Sequence, residues 1–395
     1  MTTALLHKVR EMQAELTTIR HDIHAHPEMA MGEVRTSALI IAKLTEWGIT
    51  VTDGVGKTGV VGTLTGVKPG DRTIGLRADM DALQLTEQSN VSYCSTKPGT
   101  MHACGHDGHT VMLLGAAKHL AEHRDSFCGT VHFIFQPAEE GQKGAIAMIN
   151  DKLFERFPMD AIYGLHNYGE ALGQFAIRSG PFMAASDRWF VTFYGTGGHG
   201  GAGAHRATDV TVLQAQFLLA LQTIVSRNVN ALDTAVISVG AIESGSFDSV
   251  NVMPSKIRIG GTARSLKESV RDTIERRIKE LADGLAASYG CRAEVEYVRL
   301  GIALVNHEEQ TKRAIKAAEA VVGEANVNKN REPSMGGEDF AFFLVERPGS
   351  FIFLGINNKG ESRDIHSPTY DFNDDAIPYG VAYWIKLVQQ ELCNQ

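Results

Sequence analysis

Between Met101 and His109 the chain reads Met-His-Ala-Cys-Gly-His-Asp-Gly-His, which puts three histidines and a cysteine within eight positions. Thiolate and imidazole are the favoured ligands of soft and borderline metal ions, and the interleaved glycines leave the backbone free to bring Cys104 and His106 to one point. A second cluster, Phe133-Ile134-Phe135-Gln136-Pro137-Ala138-Glu139-Glu140-Gly141, stops an apolar run at a proline and follows it with two adjacent carboxylates. Adjacent side chains suit two roles better than one: one carboxylate ligates a metal while its neighbour takes a proton from water. Taken alone, the pair would equally suit a helix start, where the dipole favours acids. His166 ends the apolar run 161–165, and His366 lies in Asp364-Ile365-His366-Ser367-Pro368. Each by itself reads as a core or surface histidine. With Cys104, His106 and Glu140 they make five candidate ligands, a number suited to two metals that share one bridging ligand. Asp79-Met80-Asp81 adds two carboxylates that can orient histidine ligands from behind, or cap the next turn.

The elements that must position these residues follow from the hydrophobic pattern. Helical periodicity covers 5–23 and 36–47, the latter closed by Gly48. β-rich runs follow at 59–64, 73–78, 130–135 and 161–165, with a helix at 111–122 between two of them. Strands separated by helices predict βαβ units and a mainly parallel, buried sheet. Open α/β folds place their sites past the carboxyl ends of such strands, and Asp79, Asp81, Glu139, Glu140 and His166 all fall there. From about residue 185 the order changes to strand 188–194, helix 207–227, strands 235–242 and 256–264, helix 267–289 and strand 294–298. That βαββαβ order is the ferredoxin-like split unit. Helix 308–322, strand 351–354 and helix 375–391 complete the chain. The expected fold is therefore α/β, with a catalytic domain of residues 1–184 and 299–395 interrupted by an α+β domain of residues 185–298. No internal repeat marks a solenoid.

Composition narrows the function classes. The 395 residues are 43% hydrophobic and 21% charged, an ordinary globular balance, and the chain is long enough for two domains. A net charge of -8, with no basic cluster, argues against nucleic-acid binding. Cys94, Cys104, Cys128, Cys291 and Cys393 are too few and too scattered for a disulfide framework, so reduced thiols are expected. The amphipathic N-terminal pattern has no apolar core or cleavage site of a signal peptide, and no apolar run approaches the roughly 20 residues of a membrane span. A cytoplasmic protein with no membrane partner is expected.

The strings RADMDAL, MHACGHDGHT, FQPAEEG, GLHN and SMGGEDFA, in that order, resemble the metallo-aminoacylase and carboxypeptidase family. The similarity is greatest to the branch of hippurate hydrolase, bacterial N-acyl-amino-acid amidohydrolases and plant auxin-conjugate hydrolases, and it runs from about His21 to the C-terminus. The resemblance implies a dinuclear metallopeptidase-like catalytic domain interrupted by a lid that also dimerises. It implies that Cys104 bridges two divalent metal ions, with His106 and His166 completing one site and Glu140 and His366 the other. Zn²⁺ or Mn²⁺ is expected, with Co²⁺ and Ni²⁺ also compatible. Glu139 would be the general base, and Asp81 the aspartate that orients a ligand. His199 would stabilise the oxyanion in the neighbouring subunit of a homodimer, while Asn251 and Arg264 would hold the substrate carboxylate. Two departures stand out. His205 lies six residues beyond His199, without the family's usual Pro-His five beyond, and Gln84 replaces a usual proline.

Other motifs weigh less. Gly195, Gly197 and Gly200 fit a GxGxxG pattern, but no helix is expected at the third glycine and no acid follows about 20 residues on. Gly56-Lys57-Thr58 has Val51 where a phosphate loop needs its first glycine. A Cys104–His106 thiol nucleophile would leave Glu139, Glu140, His166 and His366 without a purpose. The expected activity is metal-dependent hydrolysis of N-acyl amino acids, of the hippurate or N-acetyl type, by activated water with Glu139 as base. The alternatives are a non-catalytic binder of acylated amino acids and a dipeptidase or carboxypeptidase of the same family.

Overall fold

A computed structural model describes residues 2–141 and 143–393. The chain separates into two compact units, one of Met1–Phe182, Val305–Glu332 and Glu338–Gln395, the other of Met183–Leu304 and Pro333–Gly337.

The first unit holds an eight-stranded sheet in the order Thr50–Val55, Gly59–Thr65, Cys128–Gln136, Lys68–Asp79, Ala161–Ala171, Gly349–Asn357, Phe175–Ala176, Val327–Asn328. Its four middle strands, from Cys128–Gln136 to Gly349–Asn357, are mutually parallel. Their apolar runs, such as Phe133-Ile134-Phe135 and Phe351-Ile352-Phe353-Leu354, are wholly buried, as strands covered on both faces must be. The helices His106–Glu122 and Ile377–Cys393 pack against each other and the sheet through Met112, Leu113, Val381 and Trp384. The sheet is thus mainly parallel, with antiparallel pairing on both sides of that middle: Phe175–Ala176 runs antiparallel to Gly349–Asn357. Thr50–Val55 and Gly59–Thr65 form a hairpin that joins Cys128–Gln136 antiparallel. The polar run Thr-Val-Thr-Asp of that edge carries too little apolar signal to predict a strand.

Two helix boundaries differ from expectation for physical reasons. The expected helix 5–23 is two helices, Thr2–Glu11 and Gln13–Ala25, separated at Met12. The helix expected from 111 begins at His106, because its first turn, His106-Asp107-Gly108-His109-Thr110, is buried although polar. Hydrophobic periodicity does not register a polar turn that faces inward.

The second unit is a four-stranded antiparallel sheet in the order Ala235–Glu243, Lys256–Ser265, Ala185–Tyr194, Arg292–Gly301. In chain order this is second, third, first, fourth, the ferredoxin-like arrangement. Helices Val210–Thr223 and Glu268–Ser288 close a core of Trp189, Val191, Phe193, Leu213, Phe217, Ile259, Ile274 and Ile278. Asp209 caps the first helix by accepting from the Thr211 and Val212 amides. That helix passes into a π turn at Ile224–Asn228 rather than running unbroken to 227.

Cys94, Cys104, Cys128 and Cys291 are free thiols, and the Cys393 side chain lies outside the described residues. Among the described residues no helix is long and apolar enough to cross a membrane.

Candidate metal centre and active site

Parallel strands bring their carboxyl ends to one edge, and the first unit gathers its polar residues there. Lys68–Asp79 delivers Asp79 and Asp81, Cys128–Gln136 delivers Glu139 and Glu140, and Ala161–Ala171 carries His166. Cys104 and His106 arrive from the start of the helix His106–Glu122. The glycine between them is needed for both conformation and space. Gly105 has φ +92°, and a Cβ would lie 2.1 Å from the Asn167 Oδ1 and 2.5 Å from the Tyr370 hydroxyl. His366 comes from a loop in which its own amide donates to the Ala103 carbonyl at 2.7 Å, which ties it to the Cys104 segment.

The ligand atoms of Cys104, His106 and Glu140 all lie within 4.8 Å of one another. The Cys104 Sγ is 3.4 Å from the His166 Nε2, and the His366 Nε2 is 3.2 Å from the Glu140 Oε1. The five sequence-derived candidates therefore converge. His106 shows what such a cluster is built for. Its Nδ1 meets the Asp81 Oδ1 at 3.2 Å, while its Nε2 is buried with no hydrogen-bond partner. A carboxylate behind one imidazole nitrogen, and a second nitrogen with no hydrogen bond and 3.7 Å from the Asp79 Oδ2, suits a metal ligand. His166 is similar: its Nδ1 meets the Asn167 carbonyl at 2.6 Å and its Nε2 faces the thiol. The residues present thus fit divalent metal.

Electrostatics separate the two adjacent glutamates. Burial, then the carboxylates of Glu338, Glu140, Asp339 and Asp81, push the Glu139 carboxyl well above its ordinary range. Glu140 behaves in the opposite sense. Against the cost of burial, the His366 hydrogen bond and the His106 charge hold it below the usual value. Burial and the neighbouring His109 keep His166 neutral, the ligating form, and burial with Glu140 and Glu139 raises the Cys104 thiol.

The turn that presents Glu139 and Glu140 is strained. Ala138 has φ +54°, a left-handed conformation that costs a side-chain-bearing residue about 1–2 kcal/mol. Three consecutive amides of this turn donate to buried carboxylates: Ala138 to the Glu33 Oε1 at 2.9 Å, Glu139 to the Asp81 Oδ1 at 3.1 Å and Glu140 to the Asp81 Oδ2 at 3.1 Å. Asp81 thus touches both His106 and the glutamate turn.

Several contributors carry no sequence-derived role. His109 sits one turn after His106, with its Nδ1 2.6 Å from the Asp79 Oδ1 and its Nε2 accepting from the Asn167 amide at 2.9 Å. The i, i+3 spacing of His106 and His109 is the signal that could have paired them. Arg77 is fully buried and donates to the Gln136 Oε1 at 2.8 Å, the Asp79 Oδ2 at 2.8 Å and the Glu338 Oε1 at 2.9 Å. Three acids around one guanidinium, with Asp339 the third, account for the acidic pair of the GGEDF string.

In the second unit His199 is exposed, and its Nδ1 accepts from the Gly201 and Ala202 amides at 3.1 and 3.2 Å. The short pair Val252–Met253 with Gly198–His199 sets Asn251 beside it, and the Gly200 amide donates to the Asn251 carbonyl at 2.8 Å. Arg264 is half-buried on Lys256–Ser265, with its Nη1 donating to the Ala263 carbonyl at 3.0 Å and to the Thr262 hydroxyl. His205 is exposed in the turn Ala204–Arg206. The glycine run at 195–200 leads into a short strand and the next α-helix opens only at Val210, so it forms no dinucleotide loop. Gly56-Lys57-Thr58 is the turn of the edge hairpin.

The sequence profile described as Peptidase family M20/M25/M40 matches residues 75–390. The hippurate hydrolase of Campylobacter jejuni is 39% identical over 392 residues, covering 98% of this chain and 99% of that protein. The N-acetyl-L-cysteine deacetylase of Bacillus subtilis is 38% identical over 371 residues, 93% of this chain and 85% of that protein. Among solved structures, the Bacillus subtilis YXEP protein, a dinuclear metal binding peptidase from the M20 family, superposes with a TM-score of 0.83 at 31% identity over 96% of this chain and 98% of that one.

Proposed function

The chain belongs to peptidase family M20/M25/M40 and is an amidohydrolase, and from that premise we propose that it cleaves the amide bond of N-acyl amino acids to a free amino acid and a carboxylic acid. The observation that carries this reading is the convergence of Cys104, His106 and Glu140 within 4.8 Å, with the buried His106 Nε2 unpaired. In this reading Cys104, His106, His166, Glu140 and His366 would hold two divalent ions. When bound, such ions acidify water and polarise a carbonyl oxygen. The chain's own residues do the rest. Glu139 takes the proton of the attacking water as the water oxygen adds to the acyl carbon. It returns that proton to the amide nitrogen as the C–N bond breaks, so the amino acid departs as an amine. Burial and the neighbouring carboxylates of Glu338, Glu140 and Asp339 raise the proton affinity of the Glu139 carboxyl, the direction that suits a proton carrier.

The similarity to hippurate hydrolase and N-acetyl-L-cysteine deacetylase favours aromatic and small acyl groups alike. The direct test is a panel of N-benzoyl, N-acetyl and indole-acyl amino acids, together with simple dipeptides, after reconstitution with Zn²⁺ or Mn²⁺. Absence of turnover on all acyl amino acids, with dipeptides cleaved, would reassign the substrate class.

Substrate carboxylate recognition is assigned to Asn251 and Arg264. A planar guanidinium matches a carboxylate with two parallel hydrogen bonds, which an ammonium does not reproduce. Free acids are therefore expected to be cleaved in preference to their methyl esters or amides, and Arg264→Lys is expected not to restore what Arg264→Ala loses. Equal kcat/KM for acid and amide substrates would remove this assignment.

His199 is assigned to the oxyanion formed at the partner subunit of a homodimer. The second unit favours such a partner. Ala235–Glu243 is an edge strand, and Leu232, Phe247 and Val250 on the same unit are 92%, 98% and 83% exposed. Co-expression of Glu139→Ala and His199→Ala chains tests the arrangement. Random pairing makes about half the dimers mixed, each with one intact site, so roughly a quarter of wild-type activity is expected. Background activity in a preparation shown to contain mixed dimers would place His199 in its own chain's reaction.

A further inference from the structure

Glu33 lies more than a hundred residues from Glu139 in sequence and has no place in the chemistry described above. Its carboxylate is fully buried and meets uncharged donors. A buried carboxylate without a cation is costly unless every lone pair finds a donor. Here the donors are the Thr58 hydroxyl on Oε2 at 2.6 Å and the Met31 and Ala138 amides on Oε1 at 3.0 and 2.9 Å. The loop that carries Glu33 is itself anchored. Glu28 accepts from the Arg35 and Thr36 amides at 3.0 and 2.9 Å at the start of the helix Val34–Glu46, and its carbonyl accepts from the Ala82 amide at 2.8 Å. One segment therefore braces both the Asp81 turn and the Ala138 turn.

We propose that Glu33 is a positioning residue for the reaction: by accepting the Ala138 amide it holds the left-handed turn that aims Glu139. Ala138 is an alanine at φ +54°, so the turn does not hold this conformation by preference. The Asp81 carboxylate fixes the next two amides but leaves Ala138 to Glu33. Loss of that single acceptor lets Ala138 relax toward ordinary φ, which shifts the Glu139 carboxylate away from the attacking water, whereas the Glu140 carboxylate is also held by the His366 Nε2 at 3.2 Å. The inference rests on the reading of Glu139 as the base.

The test compares three variants of the metal-reconstituted enzyme. Glu33→Asp keeps charge and burial but withdraws the acceptor by about 1.5 Å, one bond length. Glu33→Gln removes the charge but keeps an acceptor oxygen, and the Thr58 hydroxyl can accept from its amide. Glu33→Asp is expected to lower kcat about 10- to 100-fold with KM and metal content unchanged, the scale of a misplacement near 1 Å, and Glu33→Gln to stay close to wild type. Adding Ala138→Gly to Glu33→Asp is expected to recover about five- to tenfold of kcat, because glycine adopts the left-handed turn without strain. A role in stability alone would lower the melting temperature and leave kcat of the folded enzyme intact, which would overturn the proposal. So would a Gln variant as slow as Asp, or a double variant with no recovery. If Glu139→Gln itself turned over at the wild-type rate, the base assignment would fall first, and that result is separable from every outcome at position 33.

Discussion

Glu139→Gln is expected to keep its full metal content and to lose on the order of 10²–10⁴ in kcat, or more if the water is also misplaced. Glu140→Gln, one residue on, is expected to bind metal weakly. The contrast follows from what each side chain touches. Glu140 lies within 4.8 Å of the Cys104 and His106 ligand atoms and 3.2 Å from the His366 Nε2. Glu139 instead groups with Glu338 and Asp339, where like charges and burial favour its protonated form. The Arg77 guanidinium holds Glu338 and Asp339 in place, so Glu139 faces fixed negative charge rather than a cation of its own. Gln is nearly isosteric with Glu and neutral, so the substitution removes the proton acceptor without opening a cavity. Metal analysis and steady-state kinetics on N-benzoylglycine check both halves. Equal metal loss in the two variants would show that the roles of the pair are exchanged or shared.

How much of the fold and of the candidate site is legible in the sequence is a matter of range. The parallel strands announce themselves through unbroken apolar runs such as Phe133-Ile134-Phe135, and the βαββαβ order of the second unit through alternation and helix length. The candidate ligands were visible because Cys, His and paired Glu past strand ends are costly without a task. What stayed hidden depends on contacts between distant segments. Asp79 and His109 are 30 positions apart, Arg77 and Glu338 are 261 apart, and Glu33 and Ala138 are 105 apart. No local period records such pairs, and each residue type is common in loops. The helix start at His106 was missed for a related reason: its buried first turn is satisfied by hydrogen bonds to Asp79, Asp81 and Asn167 rather than by apolar packing. The left-handed Ala138 could not be anticipated at all, since alanine favours the right-handed region and only the surrounding acceptors make the turn affordable.

Chelation is expected to abolish activity, and a divalent ion to restore it with close to two ions bound per chain. The buried His106 Nε2 has no hydrogen-bond partner, and the Cys104 thiol lies beside the Glu140 and Glu139 carboxylates. A divalent ion bound there would give that nitrogen a partner and offset the nearby negative charge, so it is expected to stabilise the fold as well as enable turnover. At free metal about a thousandfold above Kd each site adds about 4 kcal/mol, and the melting temperature is expected to fall by several degrees on chelation. Cys104→Ser keeps size and polarity but replaces the soft thiolate with a hydroxyl that does not ionise near neutral pH. It is expected to bind less than the full complement of ions and to lose activity in proportion. Uptake by the wild type should also release protons, because a thiol must become a thiolate to ligate, and calorimetry in buffers of different ionisation enthalpy counts them. The decisive control is a preparation shown to be metal-free. Wild-type turnover there would refute the metal reading and return Cys104 and His106 to consideration as a thiol nucleophile and its base.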